Sequence, residues 1–127
     1  MSDPQRPLLP PAQVHPALPA RMARYQSDIL DEVRSAISQQ AVVVVGMKQN
    51  PFPRKARKLL EQAGIAYTYL GYGSYFSQWR RRLALKMWAG WPTFPMIFVH
   101  GVLIGGATEL ERLMESGELA ALLAKGR

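Results

Sequence analysis

The 127-residue sequence predicts an α/β domain: a four-stranded mixed sheet flanked by helices. Three observations carry that expectation. Ala41 to Val45 contains four consecutive valines with no polar alternation, the pattern of a central strand covered on both faces. Helical periodicities alternate with short apolar runs, in the order helix, strand, helix, strand, helix, hairpin, helix. Residues 94–99 and 102–104 flank His100-Gly101, a two-residue connection that suits a tight antiparallel hairpin.

Taken in order, the elements are these. Six of the ten prolines lie in residues 1–20, which read as an extended or disordered tail ahead of a domain over 21–127. From Arg21 to Gln39, Met22, Tyr25, Ile29, Val33, Ala36 and Ile37 recur at three- and four-residue spacing, predicting one amphipathic helix. After the valine strand, a helix is expected to open at Pro51 to Arg54 and run to about Gln62, where Gly64 ends it. Ala66 to Leu70 reads as a second strand, with Tyr67 and Tyr69 on one face. Gly71 to Ser77 reads as a loop, and Phe76 to Trp88 as the next helix. Thr108 and Glu111 form a capping-box pattern for a helix from Glu109, and a short helix over Leu119 to Leu123 closes the chain.

Charge is concentrated. The net charge is +7, yet residues 41–100 hold nine lysines and arginines against Glu61 alone. A positive face with an acidic partner follows, although solvated surface lysines and arginines are the commoner explanation of such a block. No apolar run approaches the ~20 residues of a membrane helix, and the N-terminal stretch lacks the apolar core of a secretory signal. Cytoplasm is therefore the expected compartment.

Three separated pieces carry a resemblance. Asn50-Pro51-Phe52-Pro53 followed by Arg54-Lys55-Ala56 is similar to a Cys-Gly-Phe-Ser loop followed by Arg-Lys-Ala. Trp91-Pro-Thr-Phe-Pro95 is similar to a Trp-Pro-Thr-(Phe/Tyr)-Pro motif whose final proline is cis, and Gly105-Gly106-Ala107-Thr108 to a Gly-Gly-X-Asp turn. Together these resemble the glutaredoxin family, in particular its single-cysteine (monothiol) members, over about residues 21–125. The resemblance implies a thioredoxin-like fold and a groove for glutathione, a tripeptide with two carboxylates. It implies that Lys48 and Arg82 meet the glycyl carboxylate, with Lys86 one turn beyond Arg82. Phe94, before the cis Pro95 that faces the active-site loop with Asn50 and Phe52, would offer its backbone to the peptide. Gly106, Ala107 and Thr108 would meet the γ-glutamyl end at a helix N-terminus.

The departures have chemical content. There is no cysteine in the sequence, and Asn50 stands where the family places its sulfur. A carboxamide forms no thiolate, so disulfide exchange and iron–sulfur ligation from that position are excluded and no residue is assigned as catalytic. Pro51 and Pro53 remove backbone donors, one residue separates Lys48 from Asn50 where the family carries a longer insert, and Thr108 replaces an acid. His15 and His100 are isolated and make no metal site. Trp79 with Tyr72, Tyr75 and Phe76 could form an exposed aromatic patch, whereas Trp88 and Trp91 read as packing.

The expectation from sequence is a redox-inactive member of this family that binds glutathione, an acidic peptide or a partner's extended segment in the groove, with no covalent cofactor. Two alternatives stand beside it. One is an interaction module using the basic face and the proline-rich tail. The other, ranked last for want of a motif, is nucleic-acid binding through Arg54 to Lys58 and Arg80 to Arg82.

Overall fold

The computed structural model describes residues 6–74 and 76–126. Four strands, β1 (Val42–Gly46), β2 (Thr68–Gly71), β3 (Met96–Val99) and β4 (Val102–Gly105), form one sheet in the order β2-β1-β3-β4. β1 runs parallel to β2 and antiparallel to β3, and β3 pairs antiparallel with β4. Six α-helices among the described residues surround it: α1 (Leu18–Arg24), α2 (Ser27–Gln39), α3 (Pro51–Gln62), α4 (Trp79–Ala89), α5 (Ala107–Ser116) and α6 (Glu118–Lys125), after a 3-10 turn at Pro11–Gln13.

The valine run explains the layering. Val43 and Val45 join Ile29, Val33, Ala84 and Leu85 in a core beneath α2 and α4. Val42 and Val44 face the other way, into a core with Ala56, Leu60, Leu110 and Leu119 from α3, α5 and α6. All of β1 is buried, as a strand covered on both faces must be. His100 and Gly101 both take positive φ (48° and 81°), the mirror-image turn whose twist matches that of a two-residue hairpin.

Four local expectations need correction. The predicted 21–39 helix is two helices, broken at Tyr25 and Gln26, where Gln26 takes φ 50°. Ile29 and Val33 are fully buried while Met22 and Tyr25 are exposed, so the apolar spacing continues but the buried face does not. α1 itself begins at Leu18, with Pro19 in a first turn where its missing N–H has no partner to lose. The helix expected from Phe76 starts at Trp79, because Ser74 and Ser77 tie the preceding loop through a Ser77 Oγ that accepts from Ser74 N at 3.0 Å. Thr108 does not cap α5. The helix starts at Ala107, and Glu109, not Glu111, reaches back to accept from Gly106 N at 2.9 Å. Glu111 instead pairs with Lys55 of α3 at 3.0 Å. Tyr75 of the expected aromatic patch and residues 1–5 of the tail lie outside the described residues.

Gly46 decides how closely α3 meets the sheet. A β-carbon there would stand 2.8 Å from the Pro53 Cβ and 2.9 Å from the Tyr69 ring. Both neighbours are anchored, one in a helix and one in a strand, so neither can give way cheaply. Gly46→Ala is expected to destabilise the fold by about 1–3 kcal/mol, read as a lower denaturant midpoint with unchanged slope.

Tyr72 ties the loop after β2 to α2 by donating to Glu32 at 2.8 Å. Burial, then that hydrogen bond to a carboxylate, pushes its hydroxyl well above the ordinary tyrosine range. A raised pKa means that the folded chain holds the proton more tightly than the unfolded one. The contribution is therefore complete below about pH 10, where unfolded tyrosine starts to ionise, and is lost as pH rises beyond it. Tyr72→Phe should flatten this alkaline loss in urea melts at pH 9 and pH 11.

Candidate functional site

The site is built around the N-terminus of α3. Asn50 is its N-cap: Oδ1 accepts from Phe52 N at 3.0 Å, supplying one of the orphan donors of the first turn. Its Nδ2 donates across the groove to the Phe94 carbonyl at 3.2 Å. The Phe94-Pro95 peptide is cis, as the motif implies. One carboxamide thus joins the loop after β1 to the loop before β3. Gln49, directly before it, takes φ 67° and turns the chain from β1 into the helix.

Beside this strut lies a cavity of about 450 Å³. Seven of the ten residues singled out from the sequence line it: Asn50, Phe52, Phe94, Pro95, Gly106, Ala107 and Thr108. Pro51, Trp91, Thr93 and Glu109 complete the wall. The Trp91 Nε1 atom is buried there without a partner among the described residues. The backbone offered at this wall is partly engaged already, since Phe94 O accepts from Asn50 and Gly106 N donates to Glu109. The first-turn N–H groups of Ala107 and Thr108 carry the positive end of α5.

On the other side of Asn50, a cavity of about 440 Å³ is lined by Met47, Lys48, Gln49, Pro53, Arg54, Arg57 and Tyr69. Lys48 is exposed there, its backbone N–H held by Gly73 O at 2.7 Å. Arg57 is oriented twice, by stacking its guanidinium 4.0 Å from the Tyr69 ring centre and by donating from Nε to Tyr67 Oη at 3.3 Å. The Tyr67 bond, together with the nearby Glu61 and Tyr69, outweighs partial burial and raises the guanidinium pKa above its ordinary value. Among the described residues, Lys48, Arg54 and Arg57 have no carboxylate within salt-bridge distance. Arg54 and Arg57 were not singled out from sequence as site residues; their i, i+3 spacing on the α3 face toward Lys48 was the available signal.

Arg82 lies elsewhere. It is only 6% exposed and donates to the carbonyls of Tyr72 (2.9 Å) and Ser77, holding the loop before α4 from inside. It lines neither cavity, and the expected carboxylate grip does not fit that burial. Lys86 is half-buried behind the groove wall, its Nζ 5.7 Å from the Phe94 ring centre. The Arg80-Arg81-Arg82 run is divided by the helix rather than shared on one face. Arg80 stacks over Trp79 at 4.8 Å, Arg81 pairs with Asp28 at 3.3 Å, and Arg82 turns inward.

The glutaredoxin family model matches residues 42–104. A glutaredoxin-like protein of Dictyostelium discoideum is 46% identical over 95 residues, covering 75% of this chain and 77% of that one. The chain belongs to the glutaredoxin family. Glutaredoxin 4 of Haemophilus influenzae is 32% identical over 104 residues, 77% of this chain and 94% of its own length. A solved wheat glutaredoxin superposes with a TM-score of 0.67 at 27% identity, over 78% of this chain and 93% of that one. A buckwheat glutaredoxin–glutathione complex shares the fold, with a TM-score of 0.69 at 21% identity over 80% and 92% of the two chains. This glutaredoxin contains no cysteine, and Asn50 opens α3 beside the cis-proline loop. No helix among its described residues is long and apolar enough to cross a membrane.

Two substitutions separate structure from recognition. Arg82→Ala should cost about 2–3 kcal/mol in stability, because it strands buried carbonyls. Asn50→Ala removes both the cap and the strut and should cost about 1–2 kcal/mol. Asn50→Asp keeps the cap but loses the donor to Phe94, so its urea midpoint should fall between Asn50→Ala and the unaltered chain.

Proposed function

We propose that this glutaredoxin is a non-catalytic binder of short anionic peptides, with glutathione as the leading small ligand, and that it exchanges no disulfide and ligates no iron–sulfur cluster through residue 50. The single observation that carries the reading is the Asn50 strut. It keeps the loop after β1 and the cis-proline loop at groove spacing while replacing the nucleophile with an amide whose O and N are both hydrogen-bonded.

The two cavities on either side of Asn50 fit the two ends of a tripeptide. Lys48, Arg54 and Arg57 would take a terminal carboxylate, in charge-assisted contacts that typically contribute about 1.5–3 kcal/mol each. A γ-glutamyl end carries an ammonium beside its carboxylate. The Ala107 and Thr108 N–H groups suit the carboxylate, and Glu109, in the same wall, suits the ammonium that the missing acid at position 108 would otherwise meet. Arg82 is not needed in this arrangement, and the division of Arg80, Arg81 and Arg82 among three directions argues against a surface that tracks phosphates along a strand.

Calorimetric titration with reduced glutathione tests it. Saturable heat at millimolar ligand or below is expected, weakened about tenfold (~1.4 kcal/mol) by Arg57→Gln and by Lys48→Gln and unchanged by Lys86→Gln. No heat up to about 10 mM would end the small-ligand reading. A glutathione-coupled disulfide reductase assay should be blank for the unaltered chain. Turnover gained by Asn50→Cys would show that the two half-sites still align on a sulfur placed there.

A further inference from the structure

Five of the eleven exposed large hydrophobic side chains among the described residues lie on α1 and α4, and a sixth, Tyr25, caps the end of α1. On α4 they are Trp79, Leu83 and Met87, spaced four apart and therefore on one face. On α1 they are Leu18 and Met22, one turn apart, with Tyr25 at the C-terminal cap of that helix. The two rows meet where Met87 shares a hollow of about 280 Å³ with Leu18, Met22 and Tyr25. Phe76, 90% exposed, stands just before the start of α4. Folding gains nothing from leaving this much apolar area in water, and a continuous exposed strip of this kind marks a contact surface.

We propose that this strip is a docking face for an amphipathic helix of a partner protein, apolar along its centre and acidic along its flanks. The charge pattern selects the occupant. Arg21 lines the hollow at one end, and Arg80 lies over Trp79 at the other. Neither has a carboxylate within 4 Å among the described residues, while Asp28 near the strip is already paired with Arg81. A second copy of this chain is the wrong partner: a two-fold contact would set Arg21 against Arg80, or each against its own copy, cation on cation. An extended segment is also the wrong shape, because the face consists of two helices and offers no strand edge. Its apolar points repeat at helical pitch, which a partner helix can match ridge into groove. The two methionines can adapt to the partner's side chains.

The test uses fluorescence anisotropy with three labelled 18-residue peptides: a Leu/Glu amphipathic helix, its Leu/Lys counterpart and a scrambled Leu/Glu sequence. Saturable binding of the Leu/Glu helix is expected, at least tenfold tighter than either control. Met87→Glu and Trp79→Ser should each weaken it at least tenfold. Both side chains are more than half exposed, so circular dichroism melts of the two variants should match the unaltered chain. Equal binding of the three peptides, or none up to about 1 mM, overturns the proposal. So does a mass that doubles with concentration and returns to monomer in Met87→Glu, which would make the occupant a second copy. Co-sedimentation with phosphatidylglycerol vesicles in the absence of Leu/Glu binding overturns it in favour of a membrane surface. None of these outcomes depends on glutathione, so failure here and failure of the groove reading are separable.

Discussion

The Asn50 carboxamide touches both halves of the groove: its oxygen faces the opening turn of α3, and its nitrogen faces the carbonyl that precedes the cis proline. The rest of the site is arranged around those two bonds. A side chain with only an acceptor could cap the helix but could not also donate to Phe94. A thiol could do neither well, being a weak donor and a weak acceptor. Asn50 therefore adds a polar link between two loops that leave the same end of the paired strands β1 and β3. Since α3 and the 91–95 loop carry most of the groove wall, the link also sets how wide the groove stands.

A second constraint governs the charge. The middle of the sequence is strongly basic, yet the fold assigns its cations to different tasks. Arg82 is drawn inside to satisfy loop carbonyls, Arg81 joins α4 to α2 through Asp28, and Lys55 joins α3 to α5 through Glu111. What remains at the groove is the small group Lys48, Arg54 and Arg57, with Arg57 held in place by two tyrosines. Immobilising a guanidinium in advance lowers the entropy a ligand would otherwise lose in ordering it, so one such arginine counts for more than several free lysines.

The two helical layers have different surfaces. The α3 and α5 side borders the groove and presents cations and helix N-termini. The α1 and α4 side presents methionine, leucine and aromatic rings bracketed by arginine. β1, buried on both faces and bonded to β2 and β3, lies between them. The residues that line the groove cavity and those of the exposed apolar strip do not overlap.

The valine run, the His100-Gly101 hairpin and the ordered trio of motifs were enough to read the sheet, its connections and seven of the cavity-lining positions. Each is a local signal, set by period, turn chemistry or a short run of residues. Residues 18–39 show where that reading fails: the apolar spacing is unbroken, yet the chain turns at Gln26 and the buried face ends at Ile29. Arg82 and Thr108 fail for a related reason. A basic residue at helical spacing looks the same whether it faces solvent or loop carbonyls, and Thr108 and Glu111 form a capping pattern as legible as the one actually used, two residues earlier. Sequence alone determined the family, the layer order and the missing thiol, because these follow from residue identity and pattern. The tertiary structure decided which arginines reach the groove, which acid caps α5 and which apolar face stays uncovered, because each depends on what packs against a side chain from elsewhere in the chain.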